Sequence, residues 1–292
     1  MNYILLGLSI LVEIVKAVVY SFFSKNKERK ASDFHLMNFT SLLIAGLGLL
    51  PFASFNAAPS LFTVLLGMFF GGLTMAGSLA YMKALSVGPV SYTELINRSS
   101  MIIPAFSGAI FWNEDLNAWH IVAVILLLVC FVLSSASKND DRKANVRWII
   151  FAFLSFAFTG SIGVTQKIQG NSDFGSESGW FLVIAMFTAA LISSILWLYN
   201  TKGDLRAERK EILNPKLWAM FIYIGFVIAF TNKINLYLSN AMPSIIFFPL
   251  INGGNLILIA IAGFIIFKEK LSLKQSVGMS FGLCAVLLLC FA

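Results

Sequence analysis

Uninterrupted apolar stretches recur from one end of this 292-residue sequence to the other, separated by short polar connections. A helix rises 1.5 Å per residue, so ~20 apolar residues cover the hydrocarbon core of a bilayer. Read at that length, spans are expected near residues 3–24, 34–53, 60–83, 88–112 and 118–136, then near 146–166, 179–199, 216–237, 242–267 and 272–291. None of the connections is long enough to hold a soluble domain. Only 12% of the residues are charged, while 58% are hydrophobic. Soluble domains carry about 25% charged residues, so this chain cannot coat a water-facing surface and has lipid as its solvent. The expected fold is an all-α integral membrane protein of ten transmembrane helices. The N-terminus has neither a basic lead nor a small-residue cleavage site and is read as a retained first helix.

Charge assigns the sides. The first, third, fifth, seventh and ninth connections hold Lys25, Lys27, Arg29, Lys30, Lys83, Lys138, Arg142, Lys143, Arg147, Lys202, Arg206, Arg209, Lys210, Lys216, Lys268, Lys270 and Lys274. On the other side stands Lys167 alone, with the acidic Glu114, Asp115, Asp173 and Glu177. Basic loops stay in the cytoplasm, which puts both termini outside a plasma membrane. The net charge of +7 follows from these loops and does not imply a nucleic-acid partner. Cys130, Cys284 and Cys290 lie within apolar runs, without metal or disulfide spacing, and read as small packing residues.

The sequence also repeats. Residues 95–116 align with 250–271 without a gap: Leu95-Ile96-Asn97 matches Leu250-Ile251-Asn252, Gly108 matches Gly263, and Glu114 matches Glu269. Five spans per copy is an odd number, so the second copy must enter the membrane upside down. The expected domains are a first five-helix repeat over 1–137, a linker over 138–145 and a second repeat over 146–292. Inverted repeats are a recurring construction of secondary transporters, which hold solute near the midplane where the repeats meet.

The stretch from Ala84 to Leu133 carries Ala-Leu-Ser-Val-Gly-Pro, a polar-flecked helix with Pro104, Trp112-Asn113-Glu114-Asp115-Leu116 and a last apolar span. This resembles the repeat unit of the drug/metabolite transporter superfamily, of the EamA type, and residues 238–289 resemble it again. The resemblance implies export of a metabolite or an amino-acid-like compound. The family pattern has Gly before the loop Glu, where this chain has Asn113 and Lys268, and its members place both termini in the cytoplasm, against the charge count above. Leu6-Gly7-Leu8-Ser9-Ile10-Leu11-Val12-Glu13-Ile14 is similar to the first helix of small multidrug resistance proteins. That likeness implies that Glu13 binds a proton and a cation in turn. Lys16, one turn on, departs from it and disfavours a cationic substrate.

A charge within a span costs ~2.5–3.5 kcal/mol at the helix centre, so each asks for a role. Glu13 and Lys16 share a face, Glu94 and Arg98 are one turn apart, and Lys233 is flanked by Asn232 and Asn235. Two readings stay open: a polar cavity lined by these groups, or local pairing, with Lys233 snorkelling to an interface. Asn97 in one repeat and Asn252-Gly253-Gly254-Asn255 in the other suggest a kinked, solute-lining helix. Their alternative is close packing through glycine with amides bonded between helices. Gly67 with Gly71 has the spacing of tight internal helix packing.

A secondary transporter of a small organic solute, working by alternating access, is therefore the leading expectation. No GxxxxGK[ST] segment exists to bind ATP, so a gradient must drive it, with Glu13 as the candidate proton carrier. The alternatives are a carrier of phosphorylated, nucleotide-sugar or lipid-linked solutes, using Lys233 and Arg98, and a non-transporting receptor or scaffold. His35 and His120 have no ligand-spaced partners, so neither an enzyme, a metal site nor a cofactor is expected. Ten spans and two complete repeats suffice for a monomer.

Overall fold

A computed structural model describes residues 1–24, 31–55, 58–88, 90–134, 145–201, 214–267 and 273–291. Eleven α-helices and no strand occur among them: α1 (Asn2–Ser24), α2 (Ala31–Leu49), α3 (Leu61–Val87), α4 (Val90–Ser99), α5 (Ile102–Trp112), α6 (Ala118–Ser134), α7 (Val146–Asn171), α8 (Ser178–Thr201), α9 (Pro215–Ala241), α10 (Ser244–Phe267) and α11 (Leu273–Phe291). An all-helical chain is what a bilayer demands, because a helix satisfies its own backbone hydrogen bonds where water is missing. Five segments among the described residues are long and apolar enough to cross a membrane: Ser32–Phe52, Leu61–Val87, Val146–Asn171, Gly175–Thr201 and Pro215–Ala241. Shorter apolar helices accompany them. Most of the basic connections and the 138–145 linker lie largely outside the described residues.

The helices sort into two compact units. One comprises Met1–Ile14, Ala76–Lys167 and Leu238–Ala292; the other comprises Val15–Met75 and Ile168–Tyr237. Each draws on both sides of the 138–145 linker. In the second unit α2 packs along α8. Leu36, Met37, Leu217, Phe221 and Ile224 form an apolar cluster there. Gly67 and Gly71 of α3 lie against the Phe181 and Ala185 carbonyls of α8, where a side chain would collide with backbone. In the first unit α6 packs along α11, and α5 along α10.

The fourth apolar run is not one helix. It stops at Ser99 and restarts at Ile102. Pro104 falls in the first turn of α5, where a missing N–H is tolerated, but it could not supply the bond that a continuous helix needs at Ser100. The turn is closed by tighter i→i−3 bonds instead: Ser100 N–H to Asn97 O at 3.2 Å and Ile103 N–H to Ser100 O at 3.1 Å. In the segment that the sequence aligns with it, α10 runs unbroken through Pro249 and the two glycines. The break expected at Asn252–Asn255 therefore falls at Ser100–Met101, because Pro104 there coincides with a new start, whereas Pro249 is held within a packed helix.

Candidate functional site

One stripe of α7 organises the chemistry of the first unit. Ser155, Thr159, Gly163 and Lys167 follow one another at four-residue steps and so share a helix face. Ser155 Oγ donates to Asn97 Oδ1 at 2.8 Å and Thr159 Oγ1 donates to the same oxygen at 3.2 Å. Asn97 sits in the last turn of α4, next to the break, so the amide carbonyl is anchored where the backbone changes course. Gly160 brings α7 onto the break itself: a Cβ there would stand 2.5 Å from Ile103 Cδ1 and 2.8 Å from the Ser100 carbonyl oxygen.

One turn further along α7 the packing becomes dry. A Cβ on Gly163 would lie 2.6 Å from Phe248 and 2.7 Å from Pro104. Both neighbours are buried. Another turn on, Lys167 points into a polar cluster. Its ammonium pairs with Glu114 Oε1 and donates to Ser244 Oγ at 2.5 Å, with the Trp112 ring centroid 5.5 Å away. Glu114 Oε2 accepts the Ser244 backbone N–H at 2.7 Å. A carboxylate is favoured there because Ser244 opens α10, whose first N–H groups have no partner within the helix. Lys167 is only 3% exposed and Glu114 17%.

The residue before Glu114 explains a departure noted in the sequence. Asn113 closes α5 at φ 49° and ψ 38°, in the left-handed region, and Glu114 N–H returns to Gly108 O at 3.2 Å. Glycine takes that conformation freely; asparagine is among the few other residues that tolerate it. Asn113 takes this left-handed turn and aims Glu114 back at α10.

The candidate residues read from the sequence are dispersed. Asn97 joins the α7 stripe. Glu13, Lys16 and Arg98 are half-buried and each has a partner. The Glu94 side chain lies outside the described residues. Lys233 belongs to the second unit, its ammonium 5.5 Å from the centre of the Phe52 ring. Asn252 Nδ2 donates to Phe248 O within its own helix at 2.8 Å, and Asn255 Oδ1 is buried without a hydrogen-bond partner. Gly253 faces Leu127 and Gly254 faces Ile10, so the two glycines let neighbouring helices approach closely. The partnership of Lys167 with Glu114 and Ser244 is absent from the sequence reading, which placed Lys167 among the connections. Its signal was the four-residue spacing from Ser155 to Lys167.

Among the described residues no group of three or more His, Cys, Asp or Glu side chains is placed to hold a metal ion. No curated protein matches this chain. A protein of known crystal structure superposes on it with a TM-score of 0.71 at 12% identity, covering 99% of this chain and 97% of its own. That likeness establishes a shared fold. Residues 5–136 match the EamA-like transporter family, so the first half of the chain is similar to that family of membrane transporters.

Proposed function

We propose that this protein is a secondary transporter that exports a small organic metabolite or amino-acid-like solute by alternating access, with ten spans arranged as two inverted five-helix repeats. The observation that carries the reading is the split fourth span. Its ends are held by Asn97 against Ser155 and Thr159 and by close approach to Gly160. Discontinuous helices expose backbone groups that only a protein-lined cavity can satisfy, which is why transporters place them at solute sites. Helix pairing supports the repeats: α2 with α8, α5 with α10 and α6 with α11 each join corresponding spans of the two copies. A two-fold axis brings such elements together.

In this reading Asn97, Asn252 and Asn255 contribute polarity along the solute path, Glu13 carries the coupling proton, and Lys16 and Arg98 set substrate charge. The basic connections face the cytoplasm, both termini lie outside the plasma membrane, and the working unit is a monomer. Proteoliposomes test this directly. Internal pH is followed while amino acids, organic cations and phosphorylated metabolites are added in turn, for the native protein, Glu13→Gln and Asn97→Ala. A solute-specific proton flux lost in Glu13→Gln is the expected result. Flux with an unchanged pH profile in that variant removes Glu13 from coupling. A response confined to phosphorylated solutes selects the alternative carrier built on Lys233 and Arg98, and silence across the panel points to an uncoupled carrier, a solute outside the panel, or a receptor or scaffold that does not transport.

A further inference from the structure

The cluster at the far end of the α7 stripe is separated from the Asn97 cluster by packed apolar contact. Three helices of one unit converge there, and each contributes two layers one turn apart. Gly108, Lys167 and Ser244 meet around the Glu114 carboxylate, and four residues deeper on the same helices Pro104, Gly163 and Phe248 close upon one another. A methyl group at Gly108 would overlap the Glu114 carboxylate and come within 2.7 Å of Ser244 Cβ, so the outer layer is as tight as the inner one. Among the described residues, the donors to the Glu114 carboxylate, Lys167 and Ser244, come from beyond the 138–145 linker, while Glu114 itself comes from before it. The cluster therefore ties the two halves of the sequence at one end.

We propose that Glu114, Lys167 and Ser244 form a latch that closes this end of the α5–α7–α10 convergence and is broken each time the end opens. The inference rests on the transport reading, and it names the contact that alternating access must release. An ion pair suits the task better than an apolar seal. When buried, it is weak as a net stabiliser because both charges have been stripped of water; once parted in an open mouth, each regains hydration. Removing one partner, by contrast, leaves the other charge buried and unpaired in the closed arrangement. Ser244 adds direction: the N-terminus of α10 holds the carboxylate only while α5 lies alongside.

The test needs no solute. In a chain with Cys130, Cys284 and Cys290 replaced by alanine, Ser107→Cys places a near-isosteric thiol at a buried position of α5, in sequence between Pro104 and Gly108. The reporter is then labelled with a membrane-impermeant maleimide in sealed vesicles of either orientation. Slow labelling is expected with the latch intact. Lys167→Met should raise the rate by about tenfold from one side only, as expected when one stabilising contact of a closed state is removed. Glu114→Gln keeps the size and the acceptor for Ser244 N–H, so it serves if Lys167→Met does not fold, and it should give a smaller increase of the same sidedness. An unchanged rate in a variant that keeps its thermal unfolding midpoint overturns the latch and leaves a static structural pair. That outcome leaves the transport reading standing, since solute flux is measured separately. Faster labelling without any solute flux retains the latch as a moving closure and overturns transport alone.

Discussion

The Ser100 carbonyl oxygen lies so near Gly160 that a Cβ on that glycine would stand 2.8 Å from it. The break between α4 and α5 is therefore fitted to α7 at a single residue. Gly160→Ala is expected to destabilise the protein by ~1–3 kcal/mol through overpacking, since Ile103 crowds the same position. A lower thermal unfolding midpoint in detergent checks this. An unchanged midpoint means the break has room to move.

The Asn97 carbonyl accepts two hydroxyls, which makes it the hub of the stripe. Hydrogen bonds between helices in a membrane average ~0.6 kcal/mol, and freed hydroxyls can bond to their own helix. Asn97→Ala should therefore cost little stability, about 1 kcal/mol, while reducing solute flux strongly. Ser155→Ala alone should leave most of the flux, because Thr159 still holds the amide. Equal losses in stability and flux for Asn97→Ala would mark the residue as purely structural.

Asn113 is the only non-glycine residue with positive φ among the described residues. Asn113→Gly should be neutral or slightly stabilising. Asn113→Val should destabilise by ~1–2 kcal/mol, because a β-branched side chain resists the left-handed region. Comparing unfolding midpoints of the two variants decides the point. Equal midpoints would show that the turn before Glu114 has no conformational demand.

Glu177, in the turn before α8, caps the start of α3 from across the second unit. Its Oε2 accepts Ser60 N–H at 2.9 Å and Ser60 Oγ–H at 2.7 Å, while Ser60 Oγ receives Thr63 N–H at 3.2 Å. Removing this capping arrangement by Glu177→Ala should cost ~1 kcal/mol. Backbone hydrogen exchange should quicken over residues 60–64 and remain unchanged in α10. Uniform exchange across the chain would exclude a local cap.

Most element positions were legible in the sequence, and the site was legible only in part. Hydropathy is a sum over neighbours in the chain, so apolar runs located α1, α2, α3, α6 and α8 to within a few residues. Asn97 stood out because an amide in an apolar run must find a partner. The partner itself did not, since Ser155 and Thr159 matter only through the helix they face. The same limit hid the Lys167 contact. As sequence, Lys167 was one cation near a span end; as structure, it is buried against a carboxylate 53 residues earlier and a hydroxyl 77 residues later.

What the sequence determined by itself was the solvent and the element type: too little charge to face water, and runs of a length that only a helix can carry through lipid. The tertiary structure decided which proline breaks a helix and which charge is buried. Pro104 and Pro249 look alike in the sequence, yet one opens α5 and the other lies within a continuous α10. The physical reason is that a missing backbone hydrogen bond or an unpaired charge is an energy to be met by neighbours. Those neighbours are chosen when helices pack.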